Sequence, residues 1–249
     1  MELTLKAYPK INIGLYVGSK RPDGYHEISS LFHLVTSMWD TVSVSLEPSS
    51  SLCVSVTGLE SCVEEKKSTV YKAVLAFMTE CNLTASVSVH VEKRLPSQAG
   101  LGGGSSDAAS TILALNRLTG ALLPVSRLSE IGLSVGSDVP FFIYECPLAY
   151  VCGRGEHVHP LKAREDLSFS IIMPEGSTVS TALAYRALDE RPSIPVLPSM
   201  EELYSMYMSP VSAWRFKNDF EIINRRPSGY EPDAPLFLSG SGSAWFFVS

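Results

Sequence analysis

The sequence predicts an α+β protein made of two mixed halves, and three observations carry that expectation. A strand, a glycine loop and a helix follow one another within residues 87–118. Alternating apolar residues precede that unit over residues 3–17 and 42–56. A polar stretch at 162–166 then gives way to a strand, two helices and a last strand.

Leu3, Leu5 and Ala7 alternate with Thr4 and Lys6, Pro9 interrupts, and Ile11, Ile13, Leu15 and Val17 resume the period of two. Two strands or one kinked strand fit this pattern. In Pro22-Asp23-Gly24 proline sets φ and glycine takes the positive-φ position of a turn. Val42, Val44 and Leu46, then Leu52, Val54 and Val56, predict two more strands. A helix is expected from Thr69 to Cys81. Val87, Val89 and Val91 alternate with Ser88, His90 and Glu92, the mark of a half-buried strand. Ala108, Ile112, Leu115 and Leu118 recur at helical spacing until Gly120, with Ser105 or Ser106 as the expected N-cap. A second capped helix is expected to begin around Ser126 and end near Gly136. Beyond the polar stretch the expected order is a strand at Phe169–Met173, a helix from Thr181 to Leu188 and a proline-rich connection from Arg191 to Ser199. A helix from Met200 to Met208 and a closing strand after Gly242 complete it. The polar stretch is read as a boundary, giving domains of residues 1–162 and 163–249.

With 249 residues, 45% of them hydrophobic, the chain can bury one large core or two moderate ones. A net charge of −6 speaks against a general nucleic-acid binder, which needs a basic face. Any anion must be bound locally. The start Met1-Glu-Leu-Thr-Leu-Lys6 is no secretory signal, and no apolar run is long enough for a membrane span, so a cytoplasmic protein without a membrane partner is expected. Cys53, Cys62, Cys81, Cys146 and Cys152 are scattered without C-x-x-C spacing and read as reduced thiols rather than metal ligands.

Between strand and helix, Gly100, Gly102, Gly103 and Gly104 remove the Cβ atoms that would keep an anion from the backbone. The helix that follows adds its unpaired N–H groups and about half a unit of positive charge. A polyphosphate is favoured there. The loop has neither the G-x-x-x-x-G-K-[ST] spacing of P-loop nucleoside triphosphatases nor the G-x-G-x-x-G of dinucleotide folds. Phosphoryl transfer asks for an anion cradle, a cation and a proton acceptor. Lys10 and Asn12 lie two apart, on one face of a strand, while Ile11 and Ile13 point the other way. Asp138 stands between Gly136 and the stiff run Val139-Pro-Phe-Phe142, where a carboxylate would be held against apolar surroundings.

Read as a pattern, Lys93-Arg-Leu-Pro-Ser-Gln-Ala-Gly-Leu-Gly-Gly-Gly-Ser-Ser-Asp-Ala-Ala109 resembles motif 2 of the GHMP kinases, named for galactokinase, homoserine kinase, mevalonate kinase and phosphomevalonate kinase. Three further segments occur in the family's order: Ala7-Tyr-Pro-Lys-Ile-Asn-Ile13 with Lys20-Arg-Pro-Asp-Gly-Tyr-His-Glu27, Gly136-Ser-Asp-Val-Pro-Phe-Phe142, and Gly240-Ser-Gly-Ser243. Within the superfamily the match is closest to the branch whose alcohol acceptor carries a cytidine diphosphate group. The resemblance implies an N-terminal domain like domain 2 of ribosomal protein S5, a C-terminal ferredoxin-like domain and an active site in the cleft between them. It implies ATP and Mg²⁺ as cofactors, a small-molecule substrate with a cytidine diphosphate moiety, and a monomer or homodimer.

By the same resemblance Asp138 accepts the proton of the attacking hydroxyl, and Lys10 holds that hydroxyl and balances the carboxylate's charge. Pro96, Gln98, Ala99, Gly100, Leu101, Gly102, Gly103, Gly104, Ser105 and Ser106 form the ATP loop, with Ser106 a candidate Mg²⁺ ligand. Tyr25 and Tyr185 sandwich the cytosine ring, and His26 hydrogen-bonds the base edge. Asn12 and Thr181 hydrogen-bond the erythritol or diphosphate part. Lys93 and Arg94 either neutralise ATP phosphates or end a solvated strand. His90, His157 and His159 read as surface residues, and Trp39, Trp214 and Trp245 as packing groups. The chain stops six residues after Ser243, and Pro227, Gly229, Pro232 and Pro235 exclude the family's long helix there, so either a shortened C-terminal domain or a shortened or frameshifted form of the chain is expected. Two rivals accompany this reading: a superfamily kinase for a homoserine-type or mevalonate-type acceptor, and a nucleotide-binding protein without catalysis. An aromatic clamp suits a nucleobase and not an amino alcohol.

Overall fold

The computed structural model describes residues 1–59, 64–174, 180–230 and 235–248; Cys62 and Pro232 lie outside them. In chain order the strands are β1 (Glu2–Ala7), β2 (Lys10–Lys20), β3 (His26–Leu34), β4 (Asp40–Pro48), β5 (Cys53–Thr57), β6 (Ala85–Glu92), β7 (Leu148–Gly153), β8 (His157–Leu161), β9 (Phe169–Ile172), β10 (Leu236–Leu238) and β11 (Trp245–Val248). The helices are α1 (Thr69–Glu80), α2 (Gly103–Thr119), α3 (Val125–Val135), α4 (Val139–Ile143), α5 (Thr181–Asp189) and α6 (Met200–Met208). The α+β expectation holds.

Two compact units result, each assembled from several segments. The first holds Met1–Pro9, Thr36–Leu95 and Gly102–Glu145; the second holds Lys10–Val35, Pro96–Leu101 and the chain from Cys146 onward. This division differs from the single boundary expected at 162. The polar residues Lys162–Asp166 lie inside the second unit, joining β8 to β9. The reason is pairing: β2 and β3 hydrogen-bond with β7 and β8 into one sheet, so early and late segments share a core.

In the first unit the sheet order is β1-β4-β6-β5, antiparallel except for the parallel pair β5–β6. The alternation read in β6 buries Ala85, Val87, Val89 and Val91. Helix α2 lies on β1 and β4 and buries Ala108, Ile112 and Leu115, with α1 and α4 beside it. Ser68 caps α1 by accepting from the Tyr71 N–H at 3.1 Å. The expected serine cap of α2 is displaced. Gly102 is the N-cap, at φ +69°, and its carbonyl accepts from the N–H groups of Ser105 and Ser106 at 3.0 and 2.9 Å. A left-handed φ open to glycine turns the chain into the helix earlier and leaves both serines in its first turn. Likewise α3 follows Pro124 and has no side-chain cap, so Ser126 is a helical residue.

In the second unit β2-β3-β7-β8 form one antiparallel sheet and β10-β11-β9 another. The core joins Ile11, Ile13, Leu31 and Leu148 to Phe246 and Val248, with Leu203 and Tyr207 of α6 and with Ala99 and Leu101. Pro9 thus separates two strands that enter different sheets. Strands β3, β7, β8 and β10 escaped the sequence reading. For β3 the cause is burial on both faces, which erases alternation. No helix among the described residues is long and apolar enough to cross a membrane. Cys53, Cys81, Cys146 and Cys152 are free thiols.

A half-buried cation fixes the exit of β6 toward the glycine loop. Lys93 Nζ donates to Oδ2 of Asp40 at 2.5 Å and to Oδ2 of Asp107 at 2.8 Å. Oδ1 of the fully buried Asp40 accepts from the N–H groups of Arg94 and Leu95 at 2.5 and 2.8 Å. One ammonium thereby ties the start of β4, the end of β6 and the first turns of α2 together. Arg94 turns outward to Glu92. Burial draws the Lys93 ammonium down, but the two carboxylates carry it above its ordinary value. Burial pushes the Asp107 carboxyl up, Lys93 pulls it back and Asp40 adds to the rise, leaving it at about 7. Its Oδ1 is buried with no hydrogen-bond partner among the described residues, consistent with that direction.

A carboxyl that keeps its proton to higher pH when folded stabilises the fold in acid, and that contribution is lost as the pH rises through its folded value. Denaturant titrations should therefore show stability rising as the pH is lowered from about 8 to about 6. The rise should be smaller in Asp107→Asn, which has no proton to take up; equal pH slopes would remove Asp107 from this role.

Candidate active site

The second unit builds its site around the carbonyl of Gly100. Lys10, the first residue of β2, is 3% exposed, and its Nζ donates to Gly100 O at 3.1 Å and to Asn12 Oδ1 at 2.6 Å. Its main-chain N–H donates to Leu101 O at 2.9 Å, and the Phe32 ring centroid lies 4.8 Å from the ammonium. Lys10 and Asn12 share a strand face, as their spacing predicts, while Ile11 and Ile13 enter the core. Asn12 is equally buried. Its Oδ1 also accepts from Gly240 N at 3.0 Å, and its Nδ2 donates to Ser30 Oγ at 3.1 Å.

Two glycine loops of this unit interlock. Gly100 has φ +75°, and a Cβ there would stand 2.3 Å from Ser239 O; a Cβ on Gly240, at φ +56°, would stand 2.7 Å from Gly100 O. Only bare backbone fits so close. Ser239 Oγ donates to Gly100 O at 3.0 Å, and Ala244 N donates to Ala99 O at 3.0 Å. Asn218 Nδ2 holds the second loop through Leu238 O and Gly240 O, at 3.0 and 2.9 Å, and Asn224 Nδ2 reaches Ser241 O at 3.1 Å. Ahead of Gly100, Pro96 is half-buried, Gln98 is exposed with φ +53°, and Ala99 is buried.

The start of α2 belongs to the first unit. Gly102, Gly103 and Gly104 open α2, whose first N–H groups have no acceptor within the helix and carry its positive end. Thr69 Oγ1 fastens this turn by donating to Gly104 O at 2.7 Å. Ser105 is half-buried and Ser106 buried. The turn bearing Asp138 adjoins it: Ser105 Oγ lies 3.8 Å from where a Cβ on Gly136 would stand. Asp138 is half-buried and precedes α4, where Pro140 sits in the first turn and needs no N–H acceptor.

Next to the Pro22–Gly24 turn, Tyr25 is exposed and the Arg154 guanidinium lies 4.7 Å over its ring. Tyr185 stacks on His26, with ring centroids 5.0 Å apart, and meets Phe220 edge-on at 4.9 Å. His26 Nε2 lies 2.7 Å from Asp189 Oδ1. Thr181 Oγ1 is 3.0 Å from Ser241 Oγ, which brings the start of α5 to the second glycine loop. Among the described residues no three His, Cys, Asp or Glu side chains cluster as a metal cage. His90, His157 and His159 are exposed, Trp214 and Trp245 are buried, and half-buried Trp39 takes the Lys6 ammonium 3.8 Å over its ring. The sequence reading missed Ser30, Asp40, Asp189 and Asn218. Ser239, also missed, directly precedes the Gly240 motif and could have been included.

Residues 68–146 match the GHMP kinases N terminal domain. The chain is 36% identical to the 4-diphosphocytidyl-2-C-methyl-D-erythritol kinase of Thermodesulfovibrio yellowstonii, over 98% of this chain and 88% of that one. It is also 36% identical to the chloroplastic kinase of the same name from Arabidopsis thaliana, over 94% of this chain and 64% of that one. A solved 4-(cytidine 5'-diphospho)-2C-methyl-D-erythritol kinase superposes with a TM-score of 0.72 at 29% identity, covering 98% of this chain and 89% of the other. Homoserine kinase from Cytophaga hutchinsonii, with a TM-score of 0.66 at 16% identity over 97% of this chain and 84% of that one, shares the fold. The expected GHMP kinase fold is borne out, and with likeness of this degree along almost its whole length the chain belongs to the 4-diphosphocytidyl-2-C-methyl-D-erythritol kinase family of GHMP kinases.

Proposed function

We propose that the protein transfers the terminal phosphoryl group of ATP to the 2-hydroxyl of 4-diphosphocytidyl-2-C-methyl-D-erythritol, a step of the non-mevalonate route to isoprenoid precursors. The observation that carries this reading is the hydrogen bond from Lys10 Nζ to Gly100 O. It makes the cation that would hold the acceptor and the loop that would hold the donor parts of one bonded assembly. Phosphoryl transfer needs positioning and charge balance more than covalent help, and this assembly offers both.

In this reading the backbone N–H groups of Pro96–Ser106, proline excepted, and the positive end of α2 take the ATP phosphates. Asp138 accepts the proton of the 2-hydroxyl, while Lys10 orients that oxygen and offsets negative charge. Tyr25 and Tyr185 supply faces for the cytosine and His26 meets its edge. Asn12, whose carbonyl oxygen already holds Lys10, and Thr181 serve the erythritol and diphosphate part. Mg²⁺ takes few protein oxygens and fills its shell with phosphates and water. The hydroxyl of Ser106, in the helix turn that would face the phosphates, fits that demand, and a bound ion would neutralise phosphate charge. The enzyme works as a cytoplasmic monomer or homodimer.

Purified protein with ATP, Mg²⁺ and the cytidyl acceptor should release ADP only when the acceptor is present, with phosphate appearing on the 2-hydroxyl. Nucleotide binding without acceptor-dependent ADP release would sink the reading. Asp138→Ala should lower kcat by roughly 10² to 10⁴, the usual worth of a positioned base, and leave ATP affinity nearly unchanged. Retained turnover would take Asp138 out of the mechanism. Gly100→Ala puts a Cβ 2.3 Å from Ser239 O and must push the loop aside, so kcat/KM should fall by about 10²-fold, as for a small misplacement of reacting groups. An unchanged value would show that the loop's close approach does not matter to catalysis.

A further inference from the structure

Helix α5 presents two side chains one turn apart, Tyr185 and Asp189, and both act on the same imidazole. Tyr185 stacks on the face of His26, its plane inclined by 25°. Asp189 Oδ1 bonds its Nε2, and Asp189 Oδ2 is held in turn by Lys20 Nζ at 3.1 Å. Lys20 is the residue paired with His26 across β2 and β3, so cation, carboxylate and ring close a short circuit on one sheet end. The His26 side chain is only 6% exposed. Its orientation is therefore fixed in and out of plane.

The chemistry of this circuit selects a tautomer. The hydrogen bond from His26, and then Lys20, hold the Asp189 carboxyl below its ordinary value, so it stays ionised. An ionised carboxylate only accepts, and Nε2 must carry the hydrogen. In the neutral ring Nδ1 is then an acceptor. Among the described residues Nδ1 has no hydrogen-bond partner. A fixed acceptor beside a stacked aromatic ring fits the exocyclic amino group of an aminopyrimidine and sets lone pair against lone pair for the oxo group of uracil. We propose that Asp189, braced by Lys20, is a positioning residue that determines base specificity by locking His26 in its Nδ1-accepting form. The inference rests on the reading that His26 meets the acceptor's base.

The test compares kcat/KM for the cytidyl acceptor and for its uridyl counterpart. The wild type should prefer the cytidyl compound by at least about 10²-fold, as a site does when its buried polar groups would go unpaired. Asp189→Asn can turn its NH₂ toward Nε2 and so admit the opposite tautomer. The preference should fall to within about tenfold, chiefly through KM for the acceptor, while KM for ATP stays put. His26→Ala separates the two ideas. If it leaves the preference intact, the base reading fails; if it abolishes the preference and Asp189→Asn does not, the tautomer inference fails. Independently of any variant, long-range ¹H–¹⁵N correlations of the wild type at about pH 8 should show His26 with hydrogen on Nε2 alone. Hydrogen on Nδ1 would overturn the proposal.

Discussion

A buried ammonium has to be given oxygen atoms, and satisfying Lys10 organises much of the second unit. With 3% of its surface exposed, the residue would be strongly destabilising without partners. Gly100 O and Asn12 Oδ1 provide them. Each acceptor then has to be held. Gly100 O also takes Ser239 Oγ, and Asn12 Oδ1 also takes Gly240 N, so both glycine loops are drawn to one cation. The glycines at 100 and 240 follow from that closeness, since a Cβ at either would strike the other loop's backbone.

Lys93, half-buried, anchors the first unit. Its two partners, Asp40 and Asp107, are both carboxylates, and the network it forms ties backbone to backbone. Asp40 is the better satisfied of the two, because Oδ1 takes two main-chain N–H groups. Asp107 bears the deficit, with one oxygen unpartnered among the described residues and its carboxyl pushed up to about 7. Breaking such a pair on one side leaves a charge stranded, so the contribution lies in fixing the approach to the loop more than in net stability.

What could be read in the sequence was what depends on neighbours along the chain. The alternation of Val87, Val89 and Val91 and the helical spacing after Ala108 are local patterns, and each became the expected element, while Gly103 and Gly104, expected in the loop, open the helix. The pairing of Lys10 with Asn12 is a consequence of strand period and was legible for the same reason. Asp40 was not, because the N–H groups it accepts from lie 54 and 55 residues away. Nor was Asp189, which meets a histidine 163 residues earlier. Strand β3 hid because both of its faces are covered, so Ser29, Ser30 and His33 are buried among apolar neighbours and no period appears. The polar run at Lys162–Asp166 reports the exposure of a turn and not which sheet the flanking strands join.

Burial sorts the candidate groups by what their chemistry demands. A hydrogen bond weakens steeply when its angle is wrong, so a group that acts by donating or accepting must be held in direction. Lys10 and His26 meet this condition: each is nearly excluded from solvent and each is bonded to a partner that is itself bonded. Stacking makes a weaker demand, because any base has a π face and small shifts along it change little. Tyr25, at 49% exposure with the Arg154 guanidinium over its ring, would meet that weaker demand. Under the proposed function, the atoms whose direction would carry specificity are thus the ordered ones, and the exposed ring is the one that would need only to be flat.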